Sequence, residues 1–200
     1  MATPGSIYHF YFRAWLLRML LKGGLHIHTT CSDGKLTPQE AADAYREQGF
    51  DFIAFTDHDY LLKPETNGVY ERVKSDMILF PGVELTLFVK GYVHVSRING
   101  EKEVLHILNH LGDYNLSLEQ MLDRIRAGAG MFPLDAVEIT SKGFRCKEWE
   151  IPEIPYPKIA ADDSHGREGI GRAWIELEAK RNKDSILRAI KRGDFWNCFR

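Results

Sequence analysis

Two hundred residues, 44% apolar and 27% charged, describe one ordinary globular domain or one domain with a short appendage. A chain of that length buries enough surface to fold without disulfides or a structural metal, so a metal found in it is more readily assigned to catalysis. The net charge of −2 gives no support to sequence-independent nucleic-acid binding, and three cysteines without a C-x-x-C pair suggest neither a disulfide framework nor a zinc ribbon.

In chain order, Tyr11 to Leu21 is apolar but carries Arg13 and Arg18 and is too short to span a bilayer. It has no small-residue cleavage site after an apolar core, and a cytoplasmic location is expected. Arg13, Arg18 and Lys22 recur at roughly helical spacing among Trp15, Leu16, Leu17 and Leu20, so residues 1–23 read as an amphipathic lead-in to a domain spanning 24–200. Leu25 to His28 is a short strand candidate. Thr37-Pro38-Gln39-Glu40 is a capping box with proline at the first helical position, Ala41, Ala42, Ala44 and Tyr45 form the apolar stripe, and Gly49 stops the helix. Phe52 to Phe55 then reads as a buried strand, completing a strand–helix–strand unit that implies a parallel pair.

Tyr70 to Ser75 has helical character, and Met77 to Phe80 reads as a strand. Lys90-Gly91 turns a hairpin between Leu85–Val89 and Tyr92–Val95. Val104 to Leu108 is a strand, and Ser117-x-x-Gln120 caps a helix reaching Ala127. Ala136–Ile139, Ile159–Ala161 and Trp174–Leu177 are further strands, Phe144–Pro157 is an irregular loop with three prolines, and Asp184–Arg192 is a helix stopped by Gly193. This alternation argues for an α/β barrel or a layered parallel sheet, in which functional side chains gather past the C-terminal ends of strands.

The chemistry-bearing residues follow that rule. His26 and His28 share one face of an extended segment, and Ser32-Asp33-Gly34 turns the chain so that Asp33 returns beside them. His58 ends the next strand in Thr56-Asp57-His58-Asp59, Glu84 follows the third in Pro81-Gly82-Val83-Glu84, and Asp163-Ser164-His165 repeats the i, i+2 spacing later. Clustered carboxylates and imidazoles are costly to bury unless cations sit among them. Asp57 and Asp59 read as groups that orient a neighbouring ring or cap a helix, and Cys31 as a small buried residue.

The motifs "LHIHTTCSDG", "FTDHD", "PGVE" and "ADDSHG", in that order, resemble the polymerase-and-histidinol-phosphatase (PHP) domain family over roughly Gly24 to Phe195. The resemblance implies a distorted seven-stranded (β/α) barrel, possibly shortened here, with two or three divalent metal ions (Zn, Mn or Fe). It also implies hydrolysis of a phosphate ester by a metal-activated hydroxide. Carried over, His26, His28, Glu84 and Asp163 hold one ion, and Asp33, His58 and His165 a second. Glu84 bridges to a third ion completed by two of His94, His106 and His110, with His94 and His110 preferred. Glu84, Asp163 and His165 are the expected catalytic residues, and Arg167 and Arg172 in "HGREGIGR" the expected phosphate-binding cations. The expected partner is a small phosphorylated metabolite or nucleotide, with no stable nucleic-acid partner and no membrane span. One departure stands out: only Ser96 to Glu103 separates the strands bearing His94 and His110, too few residues for a parallel crossover. The rival readings are an amidohydrolase-like metal hydrolase, which also begins with His-x-His, and a metal-binding domain without catalysis.

Overall fold

The computed structural model of the protein describes residues 18–66 and 68–200. In chain order the elements are β1 (Met19–Gly24), α1 (Pro38–Glu47), β2 (Phe52–Phe55), β3 (Ile78–Phe88), β4 (Tyr92–Asn99), β5 (Val104–Leu108), α2 (Leu118–Ala129), β6 (Ala136–Glu138), β7 (Thr140–Ser141), β8 (Phe144–Arg145), β9 (Lys158–Ile159), β10 (Ala173–Ala179), α3 (Lys183–Arg192) and β11 (Trp196–Phe199). Nine strands form one sheet in the order β11-β10-β1-β2-β3-β4-β5-β6-β9, and β7 and β8 pair separately.

The sheet curls into a nearly closed barrel. Closure occurs where the segment after β1 meets the segment after β9: His28 N–H donates to the Ser164 carbonyl at 3.0 Å and Ser164 N–H to the His26 carbonyl at 3.3 Å. Seven strands, β1 to β6 and β9, therefore line the ring, while β10 and β11 extend the sheet antiparallel to the outer part of β1.

Local chemistry explains the elements. Thr37 and Glu40 exchange the reciprocal bonds of a capping box at the start of α1, and Ser117 and Gln120 do the same for α2. Gly193 ends α3 in the left-handed conformation that glycine adopts at little cost. Tyr70 to Ser75 shrinks to a single 3₁₀ turn, Tyr70–Arg72. Between His94 and His110 the chain makes a second antiparallel hairpin, β4 to β5, rather than a crossover, so the short connection suffices.

The start of the chain departs from expectation. Met19–Gly24, assigned mainly to the amphipathic lead-in, runs as a strand paired with β10 on one side and β2 on the other. Long apolar residues beside Lys22 fit that two-sided environment as well as they fit a helix. Residues 1–17 of the lead-in lie outside the described residues. Regular pairing of β1 stops at Gly24, so His26 and His28 sit on an extended continuation of the strand.

Three apolar clusters hold the frame. Phe52, Phe80, Ile98, Leu105 and Ile175 pack with Ile186, Leu187 and Ile190 of α3. Asp184 Oδ1 accepts the N–H groups of Glu101, Lys102 and Glu103 in the β4–β5 turn, so α3 closes the barrel end opposite His94. The other clusters lie beneath α2 and α1.

Candidate metal centre

Glu84 is the middle of the site. It lies on β3 beyond the stretch that pairs with β2 in parallel, and it is almost fully buried. Its Oε1 lies 3.2 Å from His26 Nε2, His94 Nδ1 and His110 Nε2. Its Oε2 lies 3.2 Å from His28 Nε2 and 3.0 Å from His58 Nδ1. Five imidazoles from four stretches of chain thus converge on one carboxylate. Asp163 Oδ1 adds a second centre, 3.4 Å from His26 Nε2, 3.3 Å from His28 Nε2 and 3.6 Å from His165 Nδ1. Asp33 Oδ1 stands 3.4 Å from His28 Nδ1, and its Oδ2 lies 3.7 Å from His58 Nε2 and 3.5 Å from His165 Nε2.

Four sets have donor atoms close enough to share a cation: His28, Asp33, His58 and His165; His26, His28 and Asp163; His26, Glu84 and His110; and His58, Glu84 and His94. All nine ligand candidates read from the sequence enter at least one set. The partition differs from the expected one in three respects. Glu84 is absent from the His26, His28 and Asp163 set. His28 joins Asp33, His58 and His165, and His94 and His110 fall into separate sets that share Glu84.

His106 stays apart. Its Nδ1 lies 3.9 Å from Asp135 and its ring packs near Phe132, because strand alternation ends at His110, which adopts a left-handed backbone with φ 31°. Cys31 is buried and enters none of the four sets.

The atoms themselves fit cations. His26 Nε2 faces His28 Nε2 at 3.1 Å, and His94 Nδ1 faces His110 Nε2 at 3.3 Å. In each pair one ring can donate to the other, or a cation can lie between the two lone pairs. Buried His28 Nδ1, His58 Nδ1, His110 Nδ1 and Glu84 Oε2 have no hydrogen-bond partner. Orphans of this kind are rare in folded interiors and call for an ion or water.

Neighbouring groups fix the rings. His26 Nδ1–H donates to Glu138 Oε2 at 2.8 Å, and Thr140 Oγ1–H donates to Glu138 Oε1 at 2.8 Å, leaving His26 Nε2 free as a ligand. His165 Nδ1–H donates to the Asp163 carbonyl at 3.0 Å, which frees His165 Nε2 in the same way. Asn109 donates to Glu84 Oε1 at 2.7 Å and to Ser96 at 2.9 Å. Neither Glu138 nor Asn109 was singled out from the sequence. Glu138 ends β6 and obeys the strand-end rule, so that signal was available; Asn109 stands beside His110 with nothing to mark it.

Asp57 acts differently from a ring-orienting aspartate. Its carboxylate accepts Thr29 N–H and Oγ1–H at 2.7 Å each, together with the Ser32 and Tyr70 hydroxyls. It thereby shapes the loop that carries Asp33. Gly34 completes that loop, since a Cβ there would lie 2.4 Å from the His28 carbonyl oxygen. Asp59 Oδ1 accepts the N–H groups of Tyr60 and Thr86. From α1, Tyr45 donates its hydroxyl to Asp162 at 2.8 Å and sits 2.7 Å from Ser164 Oγ, tying the helix to the last motif. Asp163 itself takes a left-handed backbone with φ 45°, a strained conformation of the kind found at functional sites.

The electrostatics follow from burial opposed by charge. Burial alone would lower His26, His28 and His110; the surrounding carboxylates overcome it and raise all three, His28 to about 10. For His58 burial prevails and its pKa is lowered. Although burial opposes it, His26 and His28 hold Asp163 down at about 2, and the His28 ring 3.4 Å away holds Asp33 well below the usual carboxylate range. Burial pushes the neighbouring Asp162 up to about 7.

A cavity of about 230 Å³ opens beside this cluster, lined by Lys142, Asp163, His165, Gly166, Glu168, Gly169 and Arg172. Arg172 is anchored there, donating to the Lys142 carbonyl at 3.2 Å with its guanidinium over the Phe144 ring. Arg167 is not brought to the cavity; it is exposed and pairs with Glu47 of α1 at 3.5 Å. Lys142, on the β7–β8 turn, takes the place expected of it.

The PHP domain family model matches residues 24–121, and the PHP-associated model matches residues 152–195, together more than half of the chain. The chain belongs to the PHP family. Among solved structures, this PHP chain resembles a two-domain protein from Bacteroides vulgatus ATCC 8482 containing a predicted PHP-like metal-dependent phosphoesterase (TM-score 0.67, 18% identity, 91% of this chain and 65% of that one). It also resembles PsfC from Pseudomonas syringae PB-5123 (TM-score 0.65, 11% identity, 92% of each chain). An amidohydrolase from Chromobacterium violaceum is similar as well (TM-score 0.56, 13% identity, 72% of this chain and 87% of that one). At these identities the likeness is one of fold. A 55-residue stretch is 41% identical to the DNA polymerase/3'-5' exonuclease PolX of Bacillus subtilis (strain 168), covering 28% of this chain and 10% of that protein. The chain thus spans a tenth of that curated relative and 65% of the Bacteroides protein. Among the described residues, no helix is long and apolar enough to cross a membrane.

Proposed function

We propose that this PHP domain is a metal-dependent phosphoesterase that hydrolyses the phosphate ester of a small metabolite or nucleotide. The observation that carries the reading is the pairing of four cation-ready ligand sets around Glu84 and Asp163 with a cavity at their edge where Lys142 and Arg172 stand beside Glu168. A phosphoester is anionic and repels hydroxide, so its hydrolysis needs both an activated nucleophile and neutralised phosphoryl oxygens. Bound divalent ions of the Zn, Mn or Fe class would supply both, acting as Lewis acids and lowering the pKa of water.

The residues of the chain have distinct tasks in this reading. His26, His28, Asp33, His58, Glu84, His94, His110, Asp163 and His165 would hold two or three ions. Glu138 fixes the His26 ring. Lys142 and Arg172 receive the anionic substrate at the cavity, and Arg167, paired with Glu47, has no part. His165, partly exposed at the cavity wall, would act on the reacting ester through the ion it helps to hold.

The fold shared with the Chromobacterium amidohydrolase favours a second reading, amide hydrolysis at the same centre. The cations at the cavity edge favour a phosphoryl group over a neutral amide. Protein purified without chelator and supplied with Zn, Mn or Fe should release phosphate from members of a phosphomonoester and phosphodiester panel. Turnover of amides or lactones without phosphoester turnover would replace the first reading with the second.

A further inference from the structure

The β3–β4 hairpin carries the metal-centre face outward beyond the ligands. Directly opposed pairs on that face read, from the barrel interior outward, Gly82–Ile98, Glu84–Ser96, Thr86–His94 and Phe88–Tyr92. Side chains at i and i+2 share a face, and two residues advance a strand by ~7 Å. The Phe88–Tyr92 pair is therefore the next rung beyond His94. Both rings are largely exposed, Phe88 at 67% and Tyr92 at 70%, and they meet edge to face with centroids 5.4 Å apart.

The opposite face of the same hairpin is ordinary core. Val89 and Val93 are buried, with Leu87 packed against them beneath α2. The tip is also pinned: Arg124 donates to the Lys90 carbonyl at 2.8 Å and to the Tyr92 carbonyl at 3.4 Å, and Lys90 pairs with Asp123. A third aromatic, Tyr60, is 63% exposed with its ring 5.1 Å from His58, and its turn is fastened to β3 through Asp59 and Thr86 N–H. Apolar rings held out of the core by a fixed backbone have lost little further freedom when a ligand stacks on them. In the ring of strands, β3 and β4 lie across from β9, whose following segment carries Asp163 and His165 beside Lys142 and Arg172. The mouth of the site thus has one wall bearing Lys142 and Arg172 and one aromatic wall, with the ligand cluster between them.

We infer that Phe88 and Tyr92, with Tyr60 beside them, form a stacking wall that selects phosphoesters whose organic group is a planar aromatic ring. The inference rests on the phosphoesterase reading for its reaction but not for its binding. The two sources of such a ring are a nucleobase and a simple aryl ester.

The test measures binding by titration calorimetry of adenosine 5′-monophosphate, phenyl phosphate, glucose 6-phosphate and inorganic phosphate, with metal-free and metal-loaded protein. Wild-type protein should bind the ring-bearing phosphates roughly tenfold or more tightly than glucose 6-phosphate, since stacking one base on an aromatic side chain is worth that much. Preference for the nucleotide over phenyl phosphate assigns the ring as a nucleobase, and equal affinity assigns it as any aryl group. F88A/Y92A should lose this advantage while keeping its thermal midpoint, its metal content and its affinity for inorganic phosphate; Y92F should retain the advantage. Equal binding of ring-bearing and ring-free phosphates by wild-type protein, or unchanged nucleotide affinity in F88A/Y92A, overturns the stacking wall. If ring-selective binding is found and metal-loaded protein cleaves none of the esters, the stacking wall stands and the phosphoesterase reading alone fails.

Discussion

The floor and the rim of the metal centre draw on the same residue types, yet they are held in different ways. At the floor, His26, His28, Glu84 and Asp163 are buried, and His26 and Glu84 are each fixed by a further side chain, Glu138 and Asn109. At the rim, His94, His165 and Asp33 have side chains 27%, 34% and 41% exposed. The difference separates two tasks. A buried, braced floor, with lone pairs that no protein donor reaches, is the part on which ion binding would depend. The open rim is the side from which solvent and a substrate would reach the ions, and its ligands are expected to tolerate more change.

Substitutions test that division, starting with the largest effect. His26→Ala takes one of five imidazoles from Glu84 and leaves Glu138 buried without its own, and it should abolish metal retention and lower kcat/KM by about a thousandfold or more, the scale of several kcal/mol of lost metal catalysis. His165→Ala at the rim should keep most of the metal and lose less activity. Equal metal loss in the two variants, by elemental analysis, would erase the distinction. Glu138→Gln preserves shape but not charge, and should weaken metal affinity by roughly 10–100-fold. An unchanged affinity would show that the His26 ring needs no such brace.

The pH response sharpens the same comparison. In metal-free protein the floor residue His28 has its pKa raised from 6.5 to about 10. A raised histidine stabilises the fold fully below pH ~6.5, and that stabilisation is lost as pH climbs through about 10. The thermal midpoint of metal-free protein should therefore fall across that window. Metal must displace the same proton, so affinity should rise from pH 6.5 toward 10. Affinity that is flat with pH in calorimetric titrations would contradict protonated floor histidines. The smallest effect belongs to the cavity: Arg172→Ala should raise KM about tenfold, the scale of one charged hydrogen bond, while Arg167→Ala changes nothing. An effect of Arg167→Ala as large as that of Arg172→Ala would place the substrate elsewhere.

Much of the site was legible because strand ends and i, i+2 spacing are local properties. His26, His28, Asp33, His58, Glu84, Asp163 and His165 could be grouped from their positions after apolar runs. Capping boxes and glycine stops likewise gave α1, α2 and α3 to within a few residues. What stayed hidden depends on long-range pairing. Nothing local says that Met19–Gly24 pairs with β10 and β2, or that β5 returns on β4 as a second hairpin after the one turned at Lys90-Gly91. The choice of His110 over His106 follows from a left-handed backbone that the sequence "ILNHLG" does not announce. The division of cations was equally non-local, with Arg172 fastened to the β7–β8 turn and Arg167 drawn away by Glu47.

The central claim is that Glu84 organises a centre of several ions. The most direct measurement is the metal content of native protein beside that of Glu84→Gln, both purified without chelator. Two or three ions per chain in the native protein, lost together in the variant, is the expected result. Fewer than two ions in the native protein, or a variant that retains its full complement, would contradict it.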